Sequence, residues 1–398
     1  MITGIFAALK SRFSLVRGRL HAVAVGGAMA FGNTTEDERQ GPTPRCRALL
    51  VSLAFSGQNQ AVRPSQPDQP GYERRRLASA LLAILVAAGT VGCTGLRRER
   101  ADSGAAPPVV ASQVAGPTAS PTVAPANPKQ PRVAPSKAFP VGTRTLTVTR
   151  SSDRRLRTTI WFPQARAGGV AAGRFPVVVF SHGLHGLPSD YRALATRWAA
   201  AGFIVVAPSY PHTSRGVPAF DLADVLNQPA DASYVLTRVL ALDAASGDPL
   251  RGHLNTGRVA AAGHSAGAIT TVGMFAKGRD ARLDAGVVLA GNAIGMGESY
   301  VGEPAALLFV HGDKDPLTPY SLGWATYNAA PATWPRAFLT LPGQGHIDPY
   351  LRPEKRAFAA VAATTTDFLR WTLYGDAAAK ARLAKDAGKG NRLDARLS

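Results

Sequence analysis

Apolar and polar positions start to alternate at about Val141. "RTLTVTR" and "LRTTIWFP" alternate like half-buried antiparallel strands. The pattern then changes to an unbroken β-branched run, Val177 to Phe180 within "FPVVVFSHG", as expected of a strand buried on both faces. "SDYRALATRWAAAG" has helical periodicity, with Ser189 or Asp190 placed to cap its start. "FIVVAP" predicts a strand, "ADASYVLTRVLALDAA" a helix, and "RVAAAG" (Arg258 to Gly263) a short buried strand. The order then repeats: "AGAITTVGMFAKG" is helical, while "AGVVLAGN" and "AALLFVHGD" are strands. "YSLGWATYNAA" is a helix, "RAFLTLPG" a strand, and "RPEKRAFAAVAATTTDFLRWTLYG" a long final helix. Strands alternating with helices predict an α/β fold. Its sheet should be mostly parallel and doubly wound, with antiparallel strands at its N-terminal edge. There is no long insertion for a lid; residues 211–230 and 292–304 are the segments with room for a small cap.

This pattern delimits a catalytic domain over residues 139–375, with 376–398 as a charged, helix-prone and peripheral tail. Upstream, residues 74–92 carry three arginines followed by an apolar run from Leu77 to Ala88. Such a run has the length of a signal-peptide core and falls short of the roughly 20 apolar residues that span a bilayer. It ends in Thr90-Val91-Gly92-Cys93, which resembles a bacterial lipobox with Cys93 as the lipid-bearing residue. Residues 93–138, rich in Ala, Pro, Ser and Thr, lack the apolar content to offset ordering and are expected to be a disordered spacer. Residues 1–73 show no sustained periodicity; they are expected to be a disordered or non-native extension, with natural translation starting near Val62. The protein is thus expected outside the cytoplasm, held to the bacterial cell membrane by lipid.

Composition narrows the chemistry. The 398 residues carry a formal charge of +19, dominated by arginine. No basic block interleaved with aromatics accompanies that charge, so a solvated Arg-rich surface fits it better than a nucleic-acid partner. Both cysteines, Cys46 and Cys93, precede the patterned region, which excludes a disulfide framework and a cysteine zinc site there.

Three connections at the carboxyl ends of the strands, where ligands of open α/β sheets gather, carry residues with one shared use. Gly263-His264-Ser265-Ala266-Gly267 fits G-x-S-x-G, a tight strand-to-helix turn that lifts a nucleophilic hydroxyl above the sheet. Its Ala266 N–H, at a helix start, is placed to stabilise an oxyanion. "LLFVHGDKDPLTPY" supplies a carboxylate to orient an imidazole, Asp315 by preference and Asp313 second. "LPGQGHIDPY" supplies His346 as general base. The order Ser265, Asp315, His346 is that of α/β-hydrolase triads. "VVFSHGLHGLPSDY" adds the N–H of Leu184 as a second oxyanion donor. His182 and His185 lie three apart, but in a glycine-containing loop with no acidic cluster, so a metal pair is not expected.

These residues resemble bacterial α/β-hydrolases of the platelet-activating-factor acetylhydrolase and dienelactone hydrolase type. The likeness covers Val141 to Tyr374 and rests on "VGTRTLTV", "TTIWFP", "FPVVVFSHGLHG", "PADASYVLTRVL", "GHSAG", "HGDKDPLTP" and "GQGH". The resemblance implies an ester-cleaving fold without a cofactor, with Ser265 as nucleophile, His346 as base and the Leu184 and Ala266 amides as oxyanion hole. Acetylhydrolases of that group place the acid after the strand that here reads "GVVLAGN", which offers no carboxylate. The acid here falls one strand later, as in bacterial esterases and cutinases, and the cysteine nucleophile of dienelactone hydrolases is absent. The expectation is a monomeric carboxylic ester hydrolase acting on small or polymeric esters. Acyl transfer, peptide cleavage, or a catalytically silent tethered binding protein are the alternatives.

Overall fold

The computed structural model describes residues 133–398 apart from Glu298. The expectations for residues 1–132, including the signal segment and Cys93, lie outside the described residues. Nine strands form one sheet in the order β1-β2-β4-β3-β5-β6-β7-β8-β9. β1 (Val141–Thr149) and β2 (Arg155–Pro163) are the antiparallel pair expected from the alternation. β2 runs antiparallel to β4 (Ile204–Ser209), and from β4 through β3 (Phe175–Ser181), β5 (Leu254–His264), β6 (Leu283–Leu289), β7 (Ala306–Gly312) and β8 (Arg336–Leu341) the sheet is parallel. Every residue of β3, β7 and β8 is buried, which is why these strands read as continuous runs in the sequence. This is an α/β-hydrolase fold.

Helices cover both faces. On one side lie α1 (Arg192–Ala200), the one-turn α5 (Asp348–Leu351), α6 (Arg356–Leu369) and α7 (Ala377–Asp386), contributing Trp198, Tyr350, Phe368 and Leu383 to a core with Phe180 and Val178. On the other lie α2 (Gln228–Leu240), α3 (Ala266–Gly273) and α4 (Tyr320–Ala329), contributing Leu236, Val272 and Tyr327 to a core with Val177 and Val179. Alternate residues of β3 therefore face opposite cores, as the period-2 geometry of a strand requires.

Two elements differ from the expectations. The last segment, 376–398, is not helical throughout. After α7 the chain forms β9 (Arg392–Arg396), antiparallel to β8. β8 would otherwise present unpaired N–H and C=O groups at the sheet edge, and the short charged strand "RLDAR" closes it. The second difference is the start of the final helix. Pro353 disfavours helical backbone at Arg352, which has φ −113° and ψ 87°, so the run is interrupted there: α6 begins at Arg356 and the residues ahead form α5 just after His346.

Candidate active site

Ser265 stands between the end of β5 and the start of α3 with φ 58° and ψ −121°. A side-chain-bearing residue at positive φ costs about 1–3 kcal/mol and persists only where its surroundings fix it. Here the Ser265 N–H donates to the Leu289 carbonyl at 2.9 Å, and the Ser265 carbonyl accepts from Ala268 and Ile269 at 2.9 and 3.1 Å. The flanking glycines are a steric requirement. A Cβ on Gly263 would stand 2.1 Å from the Gly267 carbonyl oxygen, and one on Gly267 would stand 2.0 Å from that of Ser181. Chains this close admit no side chain.

Asp315 and His346 meet at the end of the sheet. His346 Nδ1 donates to Asp315 Oδ2 at 2.6 Å, which leaves Nε2 as the ring's acceptor. The other carboxylate oxygen, Oδ1, accepts the N–H groups of Leu317 and Thr318 at 2.8 and 2.9 Å. Burial alone would raise the Asp315 carboxyl. Hydrogen bonding from His311 and His346 outweighs burial and holds Asp315 well below the usual carboxylate range. Asp313, the second choice, is engaged elsewhere, its Oδ1 accepting from Gly343 N–H at 2.7 Å. Ser265, Asp315 and His346 are all buried, with 8, 8 and 5 % of their surface accessible.

The loop after β3 carries Leu184. Its glycine, Gly183, comes close enough to the nucleophile position that a Cβ there would lie 3.2 Å from Ser265 Cβ. Ala266 opens α3, where the first N–H groups of a helix have no intrahelical acceptor. His182 supports this loop from beneath. Its Nδ1 donates to the Gly183 carbonyl at 2.7 Å, and its Nε2 accepts from Ser214 Oγ at 2.9 Å and Tyr210 N–H at 3.3 Å. Both ring nitrogens of His182 are thus committed to protein groups, and burial pushes it down to about 4, so the ring is neutral. His185 is exposed and stacks on Phe220 with ring centroids 4.0 Å apart.

Sequence reasoning missed the pair that ties these loops together. His264 is only the variable position of G-x-S-x-G in the motif, yet its ring lies at the centre of the site. Its Nε2 meets the His346 carbonyl at 2.8 Å and must donate, since a carbonyl only accepts. Its Nδ1 is therefore the acceptor, and the Tyr191 hydroxyl 2.8 Å away is the donor. The same hydroxyl oxygen accepts the Gly183 N–H at 3.1 Å. Burial pushes His264 down to about 3, with the neighbouring His346 adding to the effect, and pushes the Tyr191 phenol up, so one ring is neutral and the other keeps its proton. One unbroken chain of donors thus runs from the Leu184 loop to the residue before Ser265 and on to the backbone of His346. It also commits the Gly183 N–H to the Tyr191 hydroxyl. No local signal exposes this pair, because Tyr191 and His264 are 73 residues apart in the chain.

Residues 149–307 match the model of the chlorophyllase family. The matched stretch contains Leu184, Ser265 and Ala266 and ends before Asp315 and His346. No curated protein matches the chain. The family likeness, on an α/β-hydrolase fold, supports hydrolase chemistry directed at ester bonds.

Proposed function

We propose that the protein is a carboxylic ester hydrolase that works through an acyl-enzyme on Ser265. His346 Nε2 takes the Ser265 proton as Oγ attacks the ester carbonyl, and Asp315 holds the imidazole in the required tautomer and stabilises its charged form. The N–H groups of Leu184 and Ala266 receive the oxyanion. The imidazolium then protonates the departing alcohol, and water, deprotonated by the same ring, releases the acid. No cofactor enters this scheme.

The observation that carries the reading is the 2.6 Å bond between His346 and Asp315, on a loop whose His346 carbonyl is bound by His264, the residue before the strained strand-to-helix turn at Ser265. The chlorophyllase-family likeness supports it independently. Labelling with a fluorophosphonate, read by peptide mass spectrometry, tests it. The expected result is a single adduct on Ser265, absent from Ser265→Ala, whose turnover of p-nitrophenyl esters falls by on the order of 10⁶. Absence of label from folded protein would favour the silent binding protein instead. We further propose that the signal-like segment and Cys93 anchor the domain outside the cytoplasm through lipid, with residues 93–138 as the tether.

A further inference from the structure

Among the described residues five large apolar side chains are exposed: Val133, Phe220, Leu226, Val301 and Ile347. Three of these adjoin the candidate site. Phe220 stacks on His185, the neighbour of Leu184. Leu226, 54 % accessible, reaches over Gly295, where a Cβ would stand 2.6 Å from Leu226 Cδ2. Ile347 follows His346. Val225, next to Leu226 in the chain, belongs to a small apolar cluster separate from the two main cores, with Ile269 and Met296 packed with Ala266 and the half-buried Leu184. The two residues whose amides would hold an oxyanion therefore belong to an apolar floor; Leu226 adjoins it next to Val225 in the chain, and Phe220 adjoins it through His185.

The floor and the base approach Ser265 from different sides. Tyr191 and Tyr350, which pack around His264 beside His346, belong to the core under α1 and α6. Ala268 and Val272 of α3, the helix carrying Ile269, belong to the core under α2 and α4. A leaving alcohol must lie at the imidazole that protonates it. The acyl substituent points away from that alcohol at the carbonyl carbon, and in the proposed reaction the surface on the other side of Ser265 is the apolar floor. The rim is also fixed in place. Asp224, in the 3-10 segment Leu222–Asn227 that carries Leu226, accepts from the buried Arg154 at 2.6 Å. At the end of that segment Gln228 is bound by Thr213 and Thr270, both at 2.7 Å.

We infer that Leu226, Phe220 and Met296 form an acyl-chain subsite, so that the preferred ester carries a long aliphatic acyl group instead of acetyl. This rests on the proposed ester hydrolysis. Each methylene that reaches the rim raises kcat/KM by up to about fourfold, from the free energy of burying a CH₂.

The test compares p-nitrophenyl acetate, butyrate and octanoate, each kept below its solubility limit, and adds ethyl and octyl acetate to probe the alcohol side. Wild-type enzyme is expected to prefer octanoate to acetate by at least tenfold in kcat/KM. Leu226→Asp and Phe220→Ser, both at exposed positions, should each lower that ratio at least fivefold. Val301→Asp, at an exposed apolar position outside the site, should keep it. The ratio between octyl and ethyl acetate should not follow the Leu226 substitution. A wild-type preference for acetate, or an octanoate ratio indifferent to both rim substitutions, overturns the subsite. So does a response confined to the alcohol series. Hydrolysis of none of these esters by wild-type protein would instead remove the ester-hydrolase reading itself.

Discussion

Replacing Tyr191 with Phe removes one oxygen atom and leaves the ring in its place against Phe180, whose centroid is 4.7 Å away. That oxygen serves two partners, the Gly183 N–H at 3.1 Å and His264 Nδ1 at 2.8 Å, at a residue only 3 % accessible. The variant therefore strands one buried donor and one buried acceptor. A buried polar group left without its partner costs about 1–3 kcal/mol, so the pair amounts to about 2–4 kcal/mol once some relaxation is allowed. For a domain of this size that corresponds to a fall in Tm of about 4–16 °C. The catalytic effect has a different origin. With Nδ1 unpaired, the bond from His264 to the His346 carbonyl no longer has a fixed tautomer behind it, and the Leu184 loop loses its link to the nucleophile turn. A misplacement near 1 Å at a catalytic group costs about 10²-fold, so kcat is expected to fall about 10- to 100-fold while KM stays within about threefold. Urea unfolding and steady-state kinetics on a soluble ester measure the two effects. A His264→Gln variant completes a double-mutant cycle, in which the two changes should be less than additive by about 1 kcal/mol or more. Wild-type kcat in Tyr191→Phe, whatever its stability, would refute the claim that this hydroxyl aligns the site.

Four further outcomes are expected. Asp315→Asn should lower kcat by about 10⁴, because an amide cannot stabilise the imidazolium; retention of activity would point to another acid. Ser265→Gly should abolish turnover yet raise stability by about 1 kcal/mol, since glycine adopts φ 58° without strain; an unchanged or lower denaturation midpoint would contradict the strain assigned to this turn. Acid should weaken the fold through its buried neutral histidines. The unfolded chain takes up protons near the ordinary value of 6.5, whereas folded His264 and His182 resist to about 3 and about 4. Stability therefore falls as pH drops below 6.5, by about 1 kcal/mol per pH unit for each ring, until the folded form also protonates. Comparing wild type with His264→Gln isolates one ring, and parallel stability profiles from pH 7 to 4 would defeat the reasoning. Cys93→Ala should release the protein from the membrane fraction, and unchanged retention would argue against lipid at that cysteine.

Much of the fold is legible in the chain because burial leaves a periodic record. β1 and the first half of β2 alternate since one side of that edge pair is more exposed, whereas β3, β7 and β8 are buried throughout and mostly apolar since helices cover both of their faces. β9 escapes the same reading. Five residues with arginine at both ends carry no burial signal, and the strand exists because β8 offers an open edge beside it. The candidate site divides along similar lines. Gly263, Ser265 and Gly267 announce themselves because a sharp turn between strand and helix leaves no freedom at those positions. The sequence favours Asp315 over Asp313, but the reason is visible only in space: His346 bonds Asp315, while Asp313 accepts from the Gly343 N–H.

What the sequence determined alone is the order of strands and helices from β1 to β8, the sharp turn at Ser265 and the residue types able to do acyl chemistry, because each is written in local periodicity or in short-range sterics. The tertiary structure alone decided that His264 and Tyr191 link three loops, that Asp315 faces His346, and that Val225 shares a cluster with Leu184 while Phe220 stacks on His185. Those relations join residues far apart in the chain, and hydrogen bonds at 2.6–3.1 Å depend on positions that no one-dimensional pattern encodes.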